Sequence, residues 1–211
     1  MAPRFIARQL AHPAGLAGRF VARLMNWHNA KLNHFAVQQL HLTTSDRILE
    51  IGFGGGINLP SLLAEVEYVA GVDRAEVMVA RAVAMYSDAV KSGRADFRVG
   101  SVEALPFSPG TFGKVCTVNT VYFWGSLSRG LEEILRVLVP GGLVVVGFLP
   151  KQWMVRMKMP EDIFTPRTSE EVTAAMGAAG FRDIRVERPT PETAWNVIVG
   201  TRPRAGQELK G

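Results

Sequence analysis

From residue 46 onward, short apolar runs of strand length alternate with longer runs of helical period. The segments 47–52 (RILEIG), 68–73 (YVAGVD), 95–100 (ADFRVG), 114–121 (KVCTVNTV) and 140–149 (PGGLVVVGFL) are predicted as strands. Between them, 57–66, 74–93 and 126–139 are predicted as helices; the last aligns Leu127, Leu131, Ile134, Leu135 and Leu138 on one face. Strand and helix in alternation imply a parallel sheet covered on both sides. The end of the chain departs from this pattern. A helix over 169–180, capped by Thr168 or Ser169 and stopped by Gly180, precedes two strands at 181–188 and 192–201. A connection so short makes them antiparallel. The expected fold is α/β: a doubly wound, Rossmann-like, seven-stranded sheet ending in an antiparallel hairpin.

Two segments lie outside the pattern. Residues 1–45 have the look of short helices, with Phe20, Val21, Leu24 and Met25 on one face and Leu32, Phe35, Ala36 and Leu40 on another. They are expected to form an N-terminal helical lid. Residues 150–167 have no clear period and are expected to insert as a cap into a domain spanning 46–203. Residues 204–211 are expected as a flexible tail.

The strongest chemical signal is residues 48–56, ILEIGFGGG. A strand there ends in Gly52, Gly54, Gly55 and Gly56, so a ligand meets backbone with no Cβ in its way. Such loops at the carboxyl ends of strands bind ligands in open α/β sheets. The dinucleotide fingerprint G-x-G-x-x-G fails, because its last position is Ile57. Asp73 closes the second strand, where a carboxylate can accept both hydroxyls of a ribose. It is equally suited to capping the next helix, and the two roles are compatible.

Glu50-x-Gly52-x-Gly54-Gly55-Gly56 resembles motif I of the class I S-adenosylmethionine-dependent methyltransferases. Residues 100–115 resemble that family's third and fourth motifs, and 137–148 its helix–turn–strand LKPGG segment. The resemblance spans roughly 46–200. It implies S-adenosylmethionine as cofactor, with the loop and Glu50 at its amino-acid end and Asp73 on the ribose. Arg74 and Met78 join this set, and Ser101, Val102 and Glu103 stand beside the adenine. Ser101 replaces the family's usual acidic residue, and Gly113 its usual Asp. Asn119 sits where the residue after the fourth strand faces the methyl donor. The run Asn119-Thr-Val-Tyr122 lacks the prolines of the enzymes that methylate nucleobase amino groups.

Within this resemblance Asn119, Tyr122 and His28 are the candidate catalytic residues, with His34 a second candidate base. Of the rings Tyr122, Phe123 and Trp124, at least one should be core and at least one should line the site. The acceptor is expected to be a small molecule, with a methylated O, N or C atom left open. A second reading is a membrane-peripheral enzyme acting on a lipid or quinone; a lesser one is an NAD-dependent oxidoreductase.

Composition narrows partners and compartment. Apolar residues make up 47% of the 211 and charged residues 20%, a globular balance. Net charge is +5, and residues 1–45 carry all of this excess (Arg4, Arg8, Arg19, Arg23, Lys31, no acid) together with every histidine. That segment is the expected peripheral membrane contact. Its hydrophobic period and scarcity of stacking rings argue against nucleic acid. A single cysteine, Cys116, provides neither a disulfide nor a metal cluster, so no metal is expected and a reducing, cytoplasmic location is. The first residues lack a secretory leader pattern and are read as mature protein.

Overall fold

The computed structural model describes residues 30–204 and 206. A helix over residues 30–38 (α1) is followed by β1 (Arg47–Ile51), α2 (Leu59–Glu65), β2 (Tyr68–Asp73), α3 (Glu76–Met85), α4 (Ser87–Lys91) and β3 (Ala95–Val99). Then come β4 (Phe112–Val118), a 3-10 turn (Val121–Phe123), α5 (Leu127–Val137), β5 (Leu138–Phe148), α6 (Lys151–Arg156), α7 (Ser169–Ala179), β6 (Arg182–Glu187) and β7 (Asn196–Thr201). The sheet order is β3-β2-β1-β4-β5-β7-β6. Strands β1 to β5 are parallel, and β7 runs antiparallel to both β5 and β6. This is the expected doubly wound sheet with a terminal hairpin.

The central strands are buried along their length, which is why they read as continuous apolar runs rather than alternating ones. Successive side chains nonetheless serve opposite layers. Leu49, Ile51, Val144 and Val146 face the layer that holds α5 and α7. Ile48, Val69, Cys116 and Val145 face the layer of α1, α2 and α3. Leu32, Ala36 and Leu40, predicted to share a face, are buried in that second layer. Leu32 and Ala36 lie on β5 at Gly147, where a Cβ would stand 3.1 Å from Leu32. Glycine thus lets the helix sit close on the sheet.

Local boundaries differ from the pattern at several points; Leu138, predicted on the apolar face of α5, opens β5 instead. The helix predicted over 74–93 breaks at Tyr86, whose dihedrals leave the helical region (φ −111°, ψ 33°) as its ring packs on Phe97. Strand β4 ends at Val118, three residues early, because Asn119 adopts φ +57° and cannot continue a strand. The predicted aperiodic segment contains α6, whose Met154 is buried. The expected cap of α7 is Thr168, in a reciprocal capping box with Glu171, and Gly180 ends the helix at φ +107°. No helix among the described residues is long and apolar enough to cross a membrane.

Candidate active site

The sheet order reverses between β1 and β4, and a cleft opens at the carboxyl ends of β1, β2 and β4, the switch point where such sheets bind ligands. Its cavity volume is about 130 Å³, and it is open to solvent on one side. Gly52 and Gly54 form one wall, Asp73 and Arg74 a second, Ser101 and Val102 a third. Asn119, Thr120, Phe123 and Trp124 close the fourth.

The glycine loop is held by positive dihedrals at Gly52 (+69°), Gly54 (+50°) and Gly56 (+73°). A Cβ at Gly52 would collide with the Thr120 methyl group, whereas at Gly54 it would meet nothing within 4 Å. The first glycine therefore serves packing against the turn after β4. The second leaves backbone open to a ligand. Asp73 fastens this loop: its Oδ2 accepts from the Gly54 N–H at 2.7 Å. Its Oδ1 accepts from the Ala75 N–H at 2.9 Å. The helix cap position belongs to Ala75, so Asp73 stands two residues before it and is not the N-cap itself. Burial pushes its carboxyl above the usual range, while the amides of Ala75, Gly54 and Arg74 pull it back. Carboxylate oxygens keep lone pairs after one bond each, so Asp73 can still accept hydroxyl donors from the cleft.

Glu50 lies beneath the loop, 4% exposed, on the α1/α2 side of β1. Its Oε1 accepts from Asn58 Nδ2 at 2.7 Å, and Asn58 Nδ2 also reaches Asn33 Oδ1 on α1 at 2.9 Å. Glu50 Oε2 is buried with no hydrogen-bond partner among the described residues. Burial raises the carboxyl to about pKa 7, helped by the nearby Asp73 and opposed by the Asn58 bond. A buried, half-satisfied carboxylate beside a ligand loop suits a cationic group.

On the opposite wall Asn119 holds its left-handed backbone with its N–H on the Gly147 carbonyl at 2.8 Å. Its Oδ1 accepts from the Tyr122 hydroxyl at 2.9 Å, and that oxygen in turn accepts from the Leu149 N–H at 2.5 Å. Tyr122 is buried, its phenol pushed up by burial, and it does not line the cleft. The Tyr122 hydroxyl is thus engaged by Asn119 and Leu149, away from the lining of the cleft. Phe123 lines the cleft and packs on Phe164 with ring centroids 5.1 Å apart. Trp124 is buried and donates from Nε1 to Thr120 Oγ1 at 3.2 Å. Of the three consecutive rings, one is core and the others edge the site.

The remaining predicted residues separate. Ser101 and Val102 line the cleft. Glu103 does not: its Oε1 accepts from the Ser126 N–H at 2.9 Å, and its Oε2 from the Ser101 hydroxyl at 3.3 Å. Arg74 reaches the Phe123 carbonyl at 3.4 Å. Met78 is 1% exposed beneath the far side of the loop, beside Gly56 and Leu59, and away from the cleft. His34 bonds Gln38 at 3.0 Å and faces a separate groove between α1 and α2. His28 lies outside the described residues. Sequence reasoning missed Thr120, Asn58 and the Glu133–Arg136 pair. Glu133 Oε2 accepts from the Leu105 N–H at 2.9 Å, while Arg136 donates to the Leu105 and Phe107 carbonyls at 3.0 and 2.8 Å. That pair clamps the loop after Val102. Polar residues on the buried face of an amphipathic helix were the available signal.

Comparison with known proteins agrees with this geometry. Residues 49–146 match a family model described as a methyltransferase domain. The uncharacterized methyltransferase YdaC of Bacillus subtilis is 30% identical over 166 residues, 78% of this chain and 87% of that protein. The ubiquinone/menaquinone biosynthesis C-methyltransferase UbiE of Geobacter sulfurreducens is 26% identical, over 78% of this chain and 76% of its own. Among solved structures, a Thermotoga maritima S-adenosylmethionine-dependent methyltransferase, described as a possible histamine N-methyltransferase, superposes with a TM-score of 0.62 at 23% identity. It covers 87% of this chain and 96% of that one.

Proposed function

The chain belongs to the class I S-adenosylmethionine-dependent methyltransferases, and on that premise we propose that it binds S-adenosylmethionine across the cleft and methylates a small apolar or aromatic acceptor. The observation that carries the reading is the Asp73–Gly54 bond, which sets a carboxylate and an open backbone amide loop at one cleft mouth. The unpartnered Glu50 Oε2 supports it from below. When bound, the cofactor supplies a methyl carbon activated by positively charged sulfur.

The protein's own residues then have distinct tasks. Asp73 accepts from the ribose hydroxyls through its free lone pairs. Gly54 lets the amino-acid end approach the backbone, and the Glu50 charge favours its ammonium group. Ser101 and Val102 border the adenine. Asn119 and Phe123 form the wall toward the acceptor, and an aromatic face attracts a sulfonium by roughly 0.5–2 kcal/mol. The reaction is a displacement, so aligning the acceptor and excluding water supply most of the acceleration, roughly 7–11 kcal/mol. A base is needed only where the acceptor must lose a proton, and His28 is the residue proposed for that task.

A second reading places the acceptor among lipids or quinones. The relative that methylates in quinone biosynthesis favours it, as does the apolar Phe123–Phe164 pair beside the cleft. The test of the main reading is calorimetric titration with S-adenosylmethionine and its demethylated product, with Asp73→Ala alongside. Micromolar binding that the substitution weakens supports the cofactor assignment. Absence of binding in folded, unaltered protein overturns it.

A further inference from the structure

The segment from α6 to Phe164 is a closed loop with an inside and an outside. Its base is tied where the Lys151 N–H donates to the Arg167 carbonyl at 2.8 Å. A second tie runs from the Thr165 N–H to the Tyr122 carbonyl at 3.0 Å. Inside, Met154 and Phe164 are buried, and Phe164 packs on Phe123, a wall of the cleft. Outside, Val155 is 53% and Met157 54% exposed. Lys151, Arg156 and Lys158 are exposed on the same stretch; the exposed acids of the loop, Glu161 and Asp162, follow only after this face ends at residue 158. Trp153 is half-buried with the Arg156 guanidinium 5.3 Å from its ring. The inner side chains already anchor the loop, so the outer ones are not required to fill the core.

Two protruding apolar side chains flanked in the sequence by three exposed cations fit shallow insertion into a negatively charged lipid surface. The charge arrangement is what selects this partner: an apolar protein groove has no need of three cations flanking Val155 and Met157. We propose that the outer face of residues 151–158 docks on anionic membrane and holds the cleft, through Phe164 and Phe123, toward an apolar acceptor in the bilayer. The delivery half of this proposal rests on the methyltransferase reading; the docking half does not. The surface is distinct from residues 1–45, whose cations were the expected lipid contact.

The experiment is sedimentation of the full chain with phosphatidylcholine vesicles, with and without phosphatidylglycerol. The expected result is binding to the anionic vesicles that weakens with salt. Replacing Lys151, Arg156 and Lys158 by Gln should weaken it roughly fivefold per charge. The double variant Val155→Glu, Met157→Glu should lose binding more severely while keeping its circular dichroism. Unchanged binding in that double variant overturns the proposal and assigns the contact to residues 1–45. No binding by the unaltered chain also overturns it, as does a lipid-independent dimer that the double variant abolishes. Cofactor titration of both chains keeps the two readings apart: loss of cofactor binding in both defeats the methyltransferase reading without touching the vesicle result.

Discussion

Among the described residues Asn58 gives Glu50 its one hydrogen bond, at 2.7 Å, and with the same nitrogen reaches Asn33 on α1 at 2.9 Å. One amide therefore joins the strand beneath the glycine loop, the start of α2 and the N-terminal helix. Removing it strands a buried carboxyl entirely. Asn58→Ala should cost about 1–3 kcal/mol of stability, the penalty for an unsatisfied buried polar group. Chemical denaturation measures this. An unchanged midpoint would mean that water enters and replaces the amide.

Glu50 makes stability and binding depend on pH in opposite directions. Its carboxyl rises from 4.5 to about 7 on folding. Between those values the folded chain binds more protons than the unfolded one, so stability falls as pH rises through the window and levels off above it. The full effect is on the order of 3 kcal/mol. Glu50→Gln should flatten this slope in denaturation series. A bound ammonium group favours the ionised form, so cofactor affinity should increase as pH approaches 7. Binding below that pH should release a proton, read as a buffer-dependent enthalpy in calorimetry. A proton count of zero in the unaltered chain would remove Glu50 from the binding site.

How far the site could be read from the sequence follows from what each contact needs. The glycine loop and Asp73 were legible because strand ends and local spacing place them, and both line the cleft. The hairpin of β6 and β7 was legible from the short connection. Thr120 against Gly52, or Asn33 against Asn58, requires knowing which loops meet, and nothing local encodes that. The positive dihedral of Asn119 likewise has no periodic signature, so β4 was drawn three residues too long. The orientation of Tyr122 was not legible, because a ring next to a site residue reads the same whether it faces the cleft or the core.

The packing of Gly52 on Thr120 predicts a rescue experiment. Gly52→Ala adds a Cβ into the Thr120 methyl group and forces Ala to φ +69°. Overpacking costs about 1–3 kcal/mol, and the left-handed backbone costs roughly another 1 kcal/mol. Thr120→Ser removes the methyl and keeps the hydroxyl that Trp124 Nε1 donates to. The double variant should recover the collision but retain the backbone cost. Thermal unfolding of the three chains separates the terms; no recovery would show that backbone strain alone accounts for the loss.

Tyr122→Phe tests whether the phenol acts on substrate or on its neighbour. Its hydroxyl donates to Asn119 Oδ1 and accepts from the Leu149 N–H, and the ring itself is core between Phe123 and Phe164. Phe keeps the ring and deletes both bonds. The Leu149 amide loses its acceptor, so stability should fall by about 1–3 kcal/mol. Asn119 loses the contact that orients its side chain toward the cleft. Cofactor affinity should change little, because the Asp73 and glycine-loop wall is untouched. Methyl transfer should then fall in kcat more than in KM, once an acceptor is in hand, and the pH profile should keep its shape. A phenol acting as base would instead give a profile that changes shape when the hydroxyl is deleted, and a strong loss of activity with stability preserved would favour that role over the positioning one.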